Sequence, residues 1–283
     1  MSQSRLWLFL FIAGVAVSAL PPPSARARPA QAGEYVVLSG DFHVHAFPGD
    51  GALTPARLVD LAAEEGLDVI TITNHNQILA SQILPRDSDP IVLLGEEVTN
   101  PDFHLIAVGV TRGVNWRQPA AGAIADIQAQ GGVAIAAHPE REFWAGWDEA
   151  AMAAVDGVEV AHPMLRESMQ ASKEFDEFFA RVLAGNPGVA RIGSSDFHVT
   201  HAPGQCRTYL FARERTREGV LDAIRAGRTV AQRADGSLAG DPALVALIPT
   251  HHRTIPRQAS LLPTLSAVLA WLGIAGLMMT SRT

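Results

Sequence analysis

The chain has 283 residues, 48% of them hydrophobic and 18% charged, which suits one sizeable globular domain with non-globular ends and excludes a disordered or fibrous protein. Net charge is −7, Lys173 is the only lysine and no Lys/Arg run occurs, so tracking of an extended nucleic-acid backbone is disfavoured, while a short oligonucleotide stays open. Cys206 is the only cysteine, which excludes an internal disulfide and a cysteine-based zinc finger and reads as a buried thiol.

In chain order, Arg5 precedes an apolar run from Leu6 to Leu20, followed by three prolines and then Ser24-Ala25-Arg26-Ala27. A positive start, a short apolar stretch and a small-x-small site describe a secretory signal peptide. Residues 1–33 are therefore assigned to a signal peptide and a proline-rich segment, with an uncleaved anchor as the alternative.

Residues 34–245 form the expected catalytic domain. Strands are expected at Tyr35–Leu38, Val69–Ile72, Ile91–Leu94, Leu105–Val110, Val133–Ala136, Val158–Val160, Val189–Ile192 and Thr229–Ala231. Between them run helical patterns at Pro55–Glu65, Ala120–Gln130, Met169–Leu183 and Arg217–Ala226, each closed by a glycine. Thr54 and Pro55 also make a capped helix start. Apolar strands spaced by helices predict an α/β fold with a parallel sheet curled into a closed or nearly closed barrel.

Residues 246–258 read as a juxtamembrane linker. Ala259–Met279 carries no charge and as a helix reaches about 30 Å, the thickness of the hydrocarbon core. A transmembrane helix is expected there, with an exported catalytic domain in the periplasm or outside the cell.

The metal-competent residues gather where these strands end, which is where β/α barrels place their chemistry. Asp41-Phe42-His43-Val44-His45 follows the first strand and Asp50 lies in its loop. Asn74-His75 follows the second, Glu96-Glu97 the third, and His104 opens the fourth. His138 follows the fifth, His162 the sixth, and Asp196-Phe197-His198 the seventh. Residues i and i+2 of an extended strand share a face, so His43 can pair with His45 and Asp196 with His198. Imidazole and carboxylate ligands without thiolate suit zinc, manganese or iron.

These motifs, "DFHVHAFPGDG…LAAEEGLDVITITNHN", "GEEVT…HLIAVG", "AIAAHP" and "GSSDFH", closely resemble the PHP (polymerase and histidinol phosphatase) family from about Asp41 to Arg228. The resemblance implies a distorted (β/α)7 barrel of the PHP type holding three divalent ions. Carried onto this chain, His43, His45, Glu97 and Asp196 would hold the first ion. Glu97, His104 and His138 would hold the second, and Asp50, His75 and His198 the third. Asn74 departs from the family's usual Asp, which puts the third ion's affinity in question if that residue orients His75.

The expected activity is hydrolysis of a small phosphomonoester or phosphodiester by water activated between ions that Glu97 bridges. Asp196 and His198 are the expected proton handlers, and Arg141, Arg166, Arg207 and His162 are candidate substrate contacts. Phe143, Trp144 and Trp147 are candidates for an aromatic lid or for simple cover of the barrel edge. Metal-dependent hydrolysis of a non-phosphate bond and a non-catalytic metal-binding module on the membrane are the competing classes.

Overall fold

A computed structural model describes residues 3–18, 30–79, 89–166, 168–199, 202–249, 269, 272 and 274–279. The chain divides into two compact units, Met1–Ala25 with Arg257–Thr283, and Arg26–Pro256.

The first unit contains helix α1 (Gln3–Ser18), and residues 274–279 are helical. A Cβ added at Gly276 would lie 2.0 Å from the Trp7 ring, so only glycine fits there. The proposed processing site and most of the expected span 259–279 lie outside the described residues. Among the described residues no helix is long and apolar enough to cross a membrane.

The second unit is an eleven-stranded sheet. Its strands are β1 (Ala30–Ala32), β2 (Tyr35–Val44), β3 (Val69–Ile72), β4 (Ile91–Asn100), β5 (Phe103–Val108) and β6 (Val133–Ala136), then β7 (Gly157–Ala161), β8 (Ala190–Gly193), β9 (Arg207–Ala212), β10 (Thr229–Gln232) and β11 (Leu238–Gly240). The order is β11-β10-β9-β2-β3-β4-β5-β6-β7-β8, with β1 beside β2. The sheet curls until its ends nearly meet. The Thr208 hydroxyl donates to the Gly193 carbonyl and accepts the Gly193 N–H, both at 2.9 Å, stitching β8 to β9.

The expected all-parallel sheet is corrected to a mixed one. The runs β2-β3-β4 and β6-β7-β8 are parallel, while β5 is antiparallel to both neighbours and β9 to both of its own. The cause at β5 is local, because only Pro101 and Asp102 separate it from β4, and so short a link can only form a hairpin.

Alternation along the strands separates two cores. Leu105 and Ala107 of β5 join a cluster with Ile124 and Ile127 of α3 (Ala120–Ala129) and Phe178 and Val182 of α5 (Met169–Gly185). Ile106 and Val108 face the other way, with Leu38, Val69, Leu93, Ile135, Ile192 and Leu210. Side chains drawn from β2 through β9 into one cluster mark the concave interior. Val220, Leu221 and Ile224 of α6 (Arg217–Arg225) plug it. Helix α2 (Pro55–Glu64) starts at Thr54, whose side chain accepts the Arg57 N–H, and seats Leu58, Val59 and Ala62 on Ile70 and Phe197. The remaining helices are α4 (Glu149–Ala154) and α7 (Pro242–Leu247).

Cys206 is fully buried in the outer cluster, and burial pushes its thiol up to about 12. Since the thiolate is the reactive form, Cys206 is expected to resist iodoacetamide at pH 8 in the folded chain and to label in denaturant. Rapid labelling of the native protein would contradict this packing.

Candidate metal centre

The carboxyl ends of the parallel strands, the loop after β2 and the start of antiparallel β5 bring all nine expected ligands together. The centre of the arrangement is Glu97, near the end of β4 and fully buried. Its Oε1 lies 2.9 Å from His104 Nδ1 and 3.1 Å from His138 Nε2. Its Oε2 lies 3.2 Å from His43 Nε2, 3.4 Å from His45 Nε2 and 2.8 Å from His75 Nδ1. Each carboxylate oxygen thus serves a different histidine set, as a bridging ligand must. Neighbouring Glu96 points to the opposite face, where its Oε1 accepts the Val114 N–H.

Three donor groups result. In the deepest, His43 Nε2 and His45 Nε2 each lie 3.2 Å from Asp196 Oδ1, opposite Glu97 Oε2. All four of these atoms are buried, and despite the short distances none makes a well-directed hydrogen bond. Buried polar atoms without such bonds are costly, so four that converge are the pattern expected where a cation belongs. The second group is His104, His138 and Glu97 Oε1, with His43 also within reach. The third lies at the mouth, where Asp50 Oδ2 is 3.2 Å from both His75 Nε2 and His198 Nε2. Side-chain exposure rises from 0% at His43, His45 and Glu97 to 32–44% at His198, His75 and Asp50, so this group is the most open to solvent. His45 Nδ1, 3.2 Å from Asp50 Oδ1, links the mouth to the deep group.

The electrostatics follow from this crowding. Burial opposes charge on His43, but Asp196, Glu97 and Glu159 outweigh it and hold the imidazolium well above its ordinary range. Burial acts the other way on His45, which is lowered, with the His43 charge adding to that effect. Glu97 and Asp196 are buried too, yet His43 and the hydrogen bonds around them hold both carboxyls far below the usual range.

Local backbone geometry supports these positions. His138 and Asp196 have positive φ, 20° and 48°, a costly state for non-glycine residues that persists where surrounding contacts fix it. The His45 N–H donates to the Phe197 carbonyl at 2.8 Å, which locks the Asp196–His198 segment to β2. Gly51 lets the Asp50 loop touch the strand end, since a Cβ there would lie 2.1 Å from the His45 carbonyl oxygen.

The PHP-associated family model matches residues 177–229, a stretch that contains Asp196 and His198. A solved two-domain protein from Bacteroides vulgatus ATCC 8482, described as containing a predicted PHP-like metal-dependent phosphoesterase, shares the fold. Its TM-score is 0.58 at 21% identity, covering 79% of this chain and 73% of its own. The family match lies within the unit Arg26–Pro256. An uncharacterized protein of Methanocaldococcus jannaschii is 26% identical over 117 residues, 36% of this chain and 68% of its own.

Around this metal centre the candidate substrate contacts divide. Arg207 is corrected: it is buried, and its guanidinium donates to the carbonyls of Gly204 and Glu65, not towards the metal centre. Arg141 is exposed, pairs with Glu177 and stacks over Trp144. Arg166 lies in the 3-10 turn Pro163–Arg166, and its side chain is outside the described residues. His162 is buried, with Nε2 3.5 Å from Asp196 Oδ2. Of the expected aromatic lid only Phe143 reaches the centre, stacked on His104 with ring centroids 4.1 Å apart. Trp144 turns its N–H to the Pro139 carbonyl, and Trp147 is buried against Phe103 and Phe178.

Two supporting carboxylates escaped the sequence reading as functional groups. Asp41 Oδ1 accepts the N–H groups of His43 and Ser195, and its Oδ2 accepts that of Gly204. Glu159 on β7 is fully buried beside His43 and His138. The available signal was an acidic residue inside an otherwise apolar strand, Gly157-Val158-Glu159-Val160.

Asn74 does not touch His75, whose Nδ1 meets Thr99 Oγ1 at 2.8 Å. Its carboxamide holds the Asp50 loop instead. Oδ1 accepts the Ala46 N–H at 2.8 Å, and Nδ2 donates to the carbonyls of Ala46 and Pro48 at 2.9 and 2.7 Å. An aspartate would set a carboxylate oxygen against two carbonyls. Asn74→Asp is expected to lower stability by about 1–3 kcal/mol in urea unfolding of the metal-free chain. An unchanged midpoint would show that these bonds do not hold the loop.

Proposed function

We propose that this chain is a metal-dependent phosphoesterase that hydrolyses a small phosphomonoester or phosphodiester with three divalent ions. The observation carrying this reading is the convergence of His43 Nε2, His45 Nε2, Glu97 Oε2 and Asp196 Oδ1, buried and without well-directed hydrogen bonds. The donor chemistry suits manganese, iron or zinc. When bound, such ions supply Lewis acidity, activating water for in-line attack and neutralising phosphoryl charge. The description of the Bacteroides vulgatus protein as a PHP-like metal-dependent phosphoesterase supports the same reaction class.

The chain's own groups divide the remaining work. Glu97 fixes the spacing of the first two groups by offering one oxygen to each. Both nitrogens of His198 are engaged, Nδ1 on the Asp196 carbonyl and Nε2 facing Asp50, so His198 acts as a ligand rather than a proton shuttle. Asp196 Oδ2 faces His162 Nε2 at 3.5 Å, and this pair would receive the proton that the attacking water gives up. Of the arginines whose side chains are described, Arg207 and Arg141 point elsewhere, which leaves the phosphate to be held chiefly by bound ions. Phe143 on His104 walls one side and favours a small ester over a long strand.

In a manganese-loaded phosphate-release screen, His43→Ala and Asp196→Ala are each expected to cut kcat/KM by more than the roughly 10–100-fold that loss of an outer partner costs. Metal analysis should find close to three ions per chain. Most of the wild-type rate in both variants, or fewer than one ion in replete buffer, would overturn the reading.

We further propose that the domain is exported and held at a membrane by the uncharged segment 259–279, so that it meets extracytoplasmic phosphate esters. A topology reporter fused near Gly240 should read outside and one after Thr283 cytoplasm. A cytoplasmic reading at Gly240 would refute export.

A further inference from the structure

We propose that Glu159 is the positioning residue of the metal centre, holding one histidine of each of the two inner groups through its two oxygens. Glu159 sits in mid-β7 with no exposure, an acidic side chain in a strand whose other residues are glycine, valine and alanine. Its Oε1 lies 3.1 Å from His43 Nδ1, and its Oε2 accepts the His138 N–H at 2.6 Å. Both oxygens are therefore committed to residues that face Glu97 with their opposite, Nε2, atoms.

The consequence for His43 is chemical. A carboxylate can only accept, so the nitrogen facing it carries the proton. His43 Nδ1 donates, so an ion that takes the place of the proton on Nε2 would find that nitrogen's lone pair directed between Glu97 Oε2 and Asp196 Oδ1. The opposite tautomer would turn an N–H into the deepest group and remove a donor from it. For His138 the consequence is conformational. Its backbone has a φ of 20°, and the bond from its N–H to Glu159 fixes that unfavourable geometry. The Nε2 atom is thereby held 3.1 Å from Glu97 Oε1. Because β7 lies directly beside β6 in parallel register, one side chain reaches the end of β6 and, across the barrel, the end of β2. The mouth group of Asp50, His75 and His198 has no contact with Glu159 among those described, and it serves as an internal control.

Glu159→Gln is nearly isosteric but cannot accept at both ends. Its amide N–H would oppose either His43 Nδ1–H or the His138 N–H. The assignment rests on the metal-site reading above and is independent of the substrate. The test is therefore a titration of the full chain with manganese alone, read by calorimetry and by metal analysis of the product. Glu159→Gln is expected to weaken two of the three bound ions by about 10–100-fold and leave the third at its wild-type affinity. With zinc, which is diamagnetic, nitrogen NMR of His43 should show an Nδ1–H tautomer in the wild type that is lost in the variant. Affinities within twofold of wild type, or an equal weakening of all three ions, would overturn the assignment. If Glu159→Gln fails to fold, Glu159→Asp, which keeps the charge but is too short to span both partners, must show the same selective loss. Uniform loss there would overturn it as well. A chain that hydrolyses no phosphate ester yet loses those two ions selectively would refute the proposed reaction and leave the role of Glu159 standing.

Discussion

Everything at the carboxyl end of this barrel is organised by one buried charge. Glu97 has no exposure, and five imidazoles lie within 3.4 Å of its oxygens. A lone carboxylate in such a place would take up a proton to escape its desolvation penalty. Here the imidazoles hold it ionised, and the carboxylates in turn hold His43 protonated far above its ordinary range. Without cations the cluster is therefore a knot of mutually dependent charges. Divalent ions held by His43, His45, Glu97 and Asp196 would relieve it by replacing the His43 proton.

The fold makes this knot possible by placing charge where apolar packing ends. Leu38, Val69, Leu93 and Ile135 fill the interior, and the same strands emit His43, Glu97 and His138 only at or beyond their last turns. Asp41 fastens the exit of β2 to the segments before and after Asp196 by three backbone N–H groups. Cross-links of this kind explain why residues with positive φ sit at the metal positions, since the backbone there answers to fixed partners and not to its own preferences.

Much of this was legible in the sequence. The parallel strands β3 and β6 fall where their apolar β-branched runs end, and the four predicted helices match α2, α3, α5 and α6 to within two residues. The ligand set could be read because His and acidic residues recur at successive strand ends. What escaped was information carried by pairing. Strand β9 (Arg207–Ala212) begins with an arginine and a threonine, so it lacks an apolar start, yet pairing between β2 and β10 makes it central. The same burial turned Arg207 from a phosphate candidate into a backbone clamp, because five donors inside a core must find carbonyls. Glu159 was missed because a strand pattern records that a polar residue is present, and only the neighbouring strands reveal what it faces.

The absence of Arg207 and Arg141 from the centre bears on how a phosphate is recognised. A guanidinium binds phosphate in the ground state and the transition state through the same fork, which favours binding as much as reaction. Ions held by the residues around Glu97 would act most strongly on charge that develops during reaction, because their ligands are in place before substrate arrives. Under the proposed function such a design would concentrate the demand for accuracy on the ligands. That is where this chain spends its buried hydrogen bonds: Asn74 on the Asp50 loop, Thr99 on His75, Asp41 on the His43 backbone and Glu159 on the His43 ring. These supports serve both levels, Asp41 and Glu159 at the deep ligand His43, and Asn74 and Thr99 at the mouth residues Asp50 and His75. The outer group, the most exposed at Asp50 and His75, is the one that an ester would meet first under the proposed function.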